Sequence, residues 1–404
     1  MHCLKLSNLL LLATAAYATA CGPTVGGELG DSGSDSDAAT EGVDSSSTSD
    51  DGDTVDPDEG SDSGSPTVGT TDDPPPTGEC GEPGSLAQLW RVDDPDRDRG
   101  ESVSVSEDRV AWVATTWDPN TRIRVHDLEG AELWSADAAT TGGEGALRQH
   151  DIAVGELVTS FVGTDRTTGS AVLQIYGDSG QVLFDLPGVP NAVDAGGTAV
   201  GSDSAVLFGG SNEDLLVNVF EGGGGGSSSD SYDHGGDEHV FDATTDGSGG
   251  YFLAGHSNAG GRPLLAHVSA DGTIEWVVES SGGGFETANG VAADGSGGAW
   301  LAIFPGETGG GRLDHFDANG EPLEPLELAY GAVQVDVDRD GNLVVLGRDF
   351  PDAPIVVQRL TPSGDVLAET TMDGFWGLDL AVDDACDVYV SGSDDSGAFL
   401  VKLD

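Results

Sequence analysis

From residue 85 onward the chain alternates apolar and polar positions in short runs, each run closed by a glycine-rich or Asp-Gly punctuation. The segments TTDGSGGYFLAG (244–255), AADGSGGAWLAI (292–303), DVDRDGNLVVLG (336–347) and AVDDACDVYVSG (381–392) are copies of one pattern. Each reads as an alternating strand, a tight turn and a second strand that ends near a glycine. Period-two alternation rich in β-branched and aromatic residues marks strands, and Asp-Gly between such runs marks hairpins. After a variable loop comes a third strand, a second turn and a fourth strand, as in PLLAHVSADGTIEWVVE (263–279), RIRVHDLEGAELWSA (122–136) and PIVVQRLTPSGDVLAET (354–370).

Four antiparallel strands in about 45 residues match the size of one β-propeller blade. The spacing predicts seven blades near 101–138, 150–187, 191–220, 238–280, 286–328, 331–372 and 375–404, with six or eight as alternatives. The third is expected to be degenerate, its fourth strand dissolving into the Gly/Ser-rich stretch 221–231. The last repeat stops after three strands at Asp404, and LAQLWRVD (86–93) resembles AELWSAD (131–137). The reading is therefore an all-β ring closed by a strand from the opposite terminus. An open solenoid does not require that arrangement.

The residues before the repeats divide in two. Lys5, the apolar run Leu9–Leu12 and small residues up to Ala20 read as an export signal too short to remain across a bilayer. Residues 22–79 hold 16 acidic residues and no basic or aromatic one. Such a composition cannot bury enough apolar surface to offset ordering entropy, so a disordered tether is expected. The domains read from sequence are thus a signal at 1–21, an acidic tether at 22–79 and a propeller at 80–404.

Charge narrows the partners. The chain carries 72 acidic and 15 basic residues, a net charge of −57, and its only lysines are Lys5 and Lys402. Such a surface repels phosphate backbones and anionic headgroups, which argues against nucleic acid and leaves a protein, a glycan or a cation as partner. A single copy of the chain is expected.

Ala18-Thr19-Ala20-Cys21 resembles the lipobox of bacterial lipoproteins, although alanine stands at 18 where that family usually has leucine. The resemblance implies cleavage before Cys21, lipidation of that cysteine and, with Gly22 following it, an outer-membrane location. Membrane contact would then be through the N-terminal lipid alone. Cys80 and Cys386 bracket the repeats, and an even pair in an exported chain favours a disulfide. The repeats themselves resemble bacterial lipoproteins of the β-propeller repeat families over most of 85–404. The turn followed by Trp134 or Trp276 is similar to quinoprotein-like blades, but the full tryptophan motif is missing from most repeats, so no cofactor is implied.

Candidate chemistry is sparse. Asp336, Asp338 and Asp340 before Gly341 form the D-x-D-x-D-G start of a calcium loop, but the twelfth position is Gly347 where a bidentate glutamate is needed. His267 and His315 hold the same repeat position and are expected not to converge. YDHGGDEH (232–239) places Asp233, His234, Asp237 and His239 in a long interblade connection; Arg148, His150 and Trp376 lead into other blades. These residues form the candidate ligand-binding loop face. No nucleophile elbow, zinc-protease helix or phosphate loop occurs. The leading expectation is a non-catalytic binding scaffold; the alternatives are a hydrolase or lyase acting on extracellular polymers at the channel mouth, and a structural envelope component.

Overall fold

The computed structural model describes Cys80 and the residues from Leu86 to Asp404, apart from 117–120, 139–146, 156, 166–167, 188–193, 201–203, 212–213, 222–226, 234–237, 258–261, 281–285, 306–309, 349–353 and 373–375. The expected signal at 1–21, with Cys21, and the expected tether at 22–79 fall outside the described residues, as do His234 and Asp237.

Among the described residues every regular element is a strand, and the strands form seven four-stranded antiparallel sheets. The first blade runs Arg99–Val105, Arg109–Thr115, Thr121–Asp127 and Glu132–Asp137, in that order from the channel outward. The later blades open with inner strands Leu147–Val154, Asp194–Val200, Glu238–Thr245, Thr287–Ala293, Gly331–Val337 and Trp376–Val382.

The seventh sheet is composite. Trp376–Val382, Val388–Asp394 and Gly397–Leu403 come from the end of the chain, and the fourth strand is Gln88–Asp94. Its register sets Trp90 opposite Lys402 and Asp94 opposite Ala398. Closure by the N-terminal strand is therefore as the repeat pattern requires.

The third blade departs from expectation. Its fourth strand exists as Ser227–Tyr232, paired with Asp214–Glu221 so that Leu215 faces Tyr232 and Phe220 faces Ser227. Its residues, SSSDSY, carry no apolar alternation because this outermost strand buries little. Backbone pairing is the main thing that places it.

The core lies between blades. Alternate side chains of each sheet interdigitate with the next sheet, and an apolar cluster occupies every adjacent pair. The first and second blades share Val113, Ile123, Trp134, Phe161 and Tyr176. The sixth and seventh share Leu346, Val357, Val390, Phe399 and Val401. The seventh and first share Tyr389, Leu400, Val103 and Trp112. Because this last cluster is as well buried as the others, the ring closes through packing as well as through strand pairing.

Cys80 and Cys386 form a disulfide with their Cα atoms 5.3 Å apart and a separation of 306 positions in sequence. Cys386 sits in the turn Asp383–Asp387, where its amide donates to the Asp383 carbonyl and its φ is +71°. The equivalent turn in the sixth blade has Gly341 at φ +82°, the backbone region that glycine enters without steric cost. Cysteine has replaced a turn glycine at the place where the chain terminus can reach it.

Candidate functional site

The inner strands line a central channel, and each carries a β-bulge at the same place. Register shifts fall between Gly100 and Ser102, Arg148 and Asp151, Ala195 and Gly197, Val240 and Asp242, Ala288 and Gly290, Ala332 and Gln334, and Gly377 and Asp379. A bulge re-aims the side chain that follows it. The residues just after the seven bulges are Ser102, Asp151, Gly197, Asp242, Gly290, Gln334 and Asp379, and they form one layer around the axis. Two residues on, Ser104, Ala153, Ala199, Thr244, Ala292, Asp336 and Ala381 form a second layer. Of these, Ser104, Asp151, Asp242, Gln334, Asp336 and Asp379 are among the residues that line a cavity of about 220 Å³.

An innermost strand has a free edge, and its unpaired N–H groups need acceptors. The channel side chains supply them, each reaching to the following blade. Asp151 Oδ2 accepts from Thr198 N at 2.8 Å, Asp242 Oδ2 from Val291 N at 2.8 Å, Asp336 Oδ2 from Val382 N at 2.8 Å and Asp379 Oδ2 from Val103 N at 2.7 Å. The other oxygen of each carboxyl accepts the amide of its own next residue. Ser104 Oγ continues the pattern by accepting from Val154 N at 3.1 Å.

Gln334 crosses the layer. Its Nε2 donates to Asp379 Oδ1 at 2.8 Å and to Asp242 Oδ2 at 3.0 Å. Gly290 makes this crossing feasible, since a Cβ there would lie 1.6 Å from Gln334 Oε1. Burial disfavours the charged form of all four carboxyls. It pushes Asp151 up to about 7, with the Asp379 charge adding to the effect, and Asp336 up to about 7. Burial also raises Asp379 to about 6 against the pull of its donors, and it raises Asp242 well above the carboxylate range with help from Asp151 and Asp379.

The sequence-derived candidates distribute differently. Arg148, His150 and Trp376 lie at the beginnings of inner strands, so their backbones share the rim where the strands start, and His150 falls inside the bulge of the second blade. Their side chains are outside the described set. Asp233 is exposed just beyond Ser227–Tyr232. His239 is half-buried near the start of the fourth inner strand and stacks on His256, ring centres 5.0 Å apart; Phe241 stacks on the same His256 at 5.2 Å.

Asp336, Asp338 and Asp340 do not gather. Asp336 faces the channel, Asp338 pairs with buried Arg359 at 3.4 Å, and Asp340 Oδ2 accepts the Cys80 amide at 2.6 Å. Among the described residues the one group of three metal-ligating side chains close enough to share an ion is Cys80, Asp338 and Cys386, and both sulfurs are in the disulfide. His267 and His315 each bind the turn aspartate of their own blade, Asp246 at 3.1 Å and Asp294 at 2.9 Å, and stack on Trp276 or Trp300. They tie hairpins together and stay in separate blades.

No sequence motif marks the channel layer. A positional signal was present: Ser102, Asp151, Gly197, Asp242, Gly290, Gln334 and Asp379 each precede by four positions the first residue after the inner strand, as Asp242 precedes Asp246 and Asp379 precedes Asp383.

The decisive geometry is the ring of seven sheets, each with its first strand on the channel. The domain is a seven-bladed β-propeller. No protein-family model matches the chain, and no curated protein matches it. Solved structures do. A streptogramin B lyase superposes with a TM-score of 0.57 at 10% identity, covering 79% of this chain and 97% of the lyase. The WD40 domain of Neurospora crassa Pan2 gives 0.57 at 15%, covering 79% and 95%. A catalytically inactive virginiamycin B lyase from Staphylococcus aureus with quinupristin gives 0.56 at 10%, covering 79% and 98%. At these identities the likeness is one of fold, and propellers host unrelated activities.

Proposed function

We propose that this protein is a cell-envelope lipoprotein whose propeller serves as a non-catalytic binding scaffold. The observation that carries the reading is the use of the channel carboxyls. Both oxygens of Asp151, Asp242, Asp336 and Asp379 accept backbone amides, so the acids that could act on a substrate are instead fastening one blade to the next. Binding then falls to the rim where Arg148, His239 and Trp376 begin their strands. The buried Cys80–Cys386 disulfide supports an exported location, because such bonds persist in oxidising compartments.

Two experiments test this. Replacing Cys21 with serine should move the protein from the membrane to the soluble exported fraction; unchanged membrane association would refute the lipid anchor. Purified full chain should bind an envelope glycan, an envelope protein or divalent cations, and combined Arg148→Ala and Trp376→Ala replacement should abolish that binding. Turnover of an extracellular polymer by the same preparation would replace the scaffold reading with an enzymatic one.

A further inference from the structure

Ser102 joins two acids that belong to different blades. Its Oγ lies 2.7 Å from Asp151 Oδ1 in the second blade and 3.0 Å from Asp379 Oδ2 in the seventh, and all three side chains are buried. A serine hydroxyl has one hydrogen to donate. With both carboxyls ionised, one of these two oxygen–oxygen contacts would have no hydrogen in it and would set lone pair against lone pair. One added proton repairs the count: one carboxyl donates to Ser102 Oγ, and Ser102 donates to the other carboxyl. We propose that Asp379, Ser102 and Asp151 share one exchangeable proton across the seventh, first and second blades, and that its loss loosens the ring where it closes.

The surroundings favour keeping that proton. Facing the pair across the channel are Asp242 from the fourth blade and Asp336 from the sixth, with Gln334 between Asp242 and Asp379. The third and fifth blades contribute Gly197, Ala199, Gly290 and Ala292 in the two layers. None of the residues lining the cavity is basic. The remaining charged or titratable residues of the inner strands, Arg99, Glu101, Arg148, His150, Asp194, Glu238 and His239, precede the two layers along their strands, toward the rim. Four carboxyls thus meet with no cation among the described side chains of the cavity, in an environment that already holds Asp151 near 7 and Asp379 near 6.

The sign follows from linkage. An unfolded carboxyl has an ordinary value of 3.8, whereas the folded pair titrates higher. A group whose pKa is raised by folding contributes fully below the unfolded value, and that contribution is lost as pH rises through the folded one. The domain should therefore lose stability between about pH 5 and about pH 8, a window in which most carboxylate-paired proteins do not.

The test compares thermal unfolding of the full chain with that of Asp379→Asn across this window, in high salt so that surface repulsion is screened. Asparagine keeps the shape and removes the titrating group. The wild-type midpoint should fall on the order of 5 °C more than that of Asp379→Asn between about pH 5 and 8. Parallel profiles would overturn the proposal. If Asp379→Asn does not fold, infrared titration of the wild type decides. A protonated-carboxyl band that is present near pH 5, lost by about pH 8 and shifted in Ser102→Ala supports the shared proton, because Ser102 bonds Asp151 and Asp379 and not Asp242 or Asp336. Carboxyls fully ionised near pH 5 would exclude it.

Discussion

The third and seventh blades have the same strand order and hold their outermost strands by opposite means. In the third blade Ser227–Tyr232 is serine, aspartate and tyrosine, secured mainly by its ladder to Asp214–Glu221. Few side chains add to that: Ser228 Oγ donates to Asp271 O at 2.6 Å and Asp230 Oδ2 accepts Ile274 N at 3.1 Å, both in the neighbouring fourth blade, and Tyr232 packs at the edge of the core. In the seventh blade Gln88–Asp94 comes from far away in sequence and is fastened at many points. Trp90 packs on Tyr389 and donates from Nε1 to Leu128 O at 3.0 Å, Arg91 pairs with Asp394 and lies 4.5 Å over the Phe399 ring, and the disulfide follows just upstream. The lesson is about loop entropy. A strand supplied by a local hairpin needs little beyond its backbone bonds, whereas one that closes a loop of some 300 residues must offset a larger ordering cost.

The largest effect expected from this contrast is at the staple. Replacing Cys80 and Cys386 together with serine should lower unfolding free energy by about 2–5 kcal/mol, measured by denaturant titration. A loss below about 1 kcal/mol would show that packing alone closes the ring. Next comes Trp90→Ala, which removes the tryptophan from the Tyr389 cluster. It should cost about 2–4 kcal/mol and speed exchange of the Gln88–Asp94 amides.

Tyr232→Ala in the third blade should cost about 1 kcal/mol, because a half-buried ring at an outer edge loses less contact. Asp230→Ala should cost least, about 0.5–1 kcal/mol for one hydrogen bond to Ile274 N. Hydrogen exchange would sharpen the comparison: amides of Ser227–Tyr232 should exchange faster than those of Gln88–Asp94 in the oxidised protein. The reverse order would mean that a local hairpin holds its outer strand more firmly than the staple and the Trp90 cluster hold theirs.

The parts of the fold legible in the sequence were those in which side chains carry the pattern. Val344, Leu346, Val388 and Val390 pack between the sixth and seventh blades while Leu343, Val345 and Tyr389 pack on the opposite faces, Asp-Gly turns punctuate the runs, and the strand count follows. The outer strand of the third blade was illegible because SSSDSY carries no apolar alternation and follows a run of glycines, which are depleted in strands, so that pairing with its partner's backbone does most to place it. The disulfide could be anticipated because a ring closed by the N-terminus places Cys80 beside the last blade. The channel acids could not be singled out: 72 acidic residues hide four, and what distinguishes Asp151, Asp242, Asp336 and Asp379 is burial around a shared axis. That property arises only when seven sheets meet.

The position of the disulfide has a mechanical consequence. A pull applied to the chain on the N-terminal side of Cys80 would enter the ring through the covalent bond to Cys386, at the hairpin joining the first two strands of the seventh blade. The strand Gln88–Asp94 lies beyond that junction and is shielded from the load. Without the bond, the same force would reach Gln88 directly and unzip it from Gly397–Leu403 one hydrogen-bonded pair at a time. The staple therefore converts a peeling geometry, the weakest way to load a sheet edge, into tension borne by the turn Asp383–Asp387 within the seventh blade.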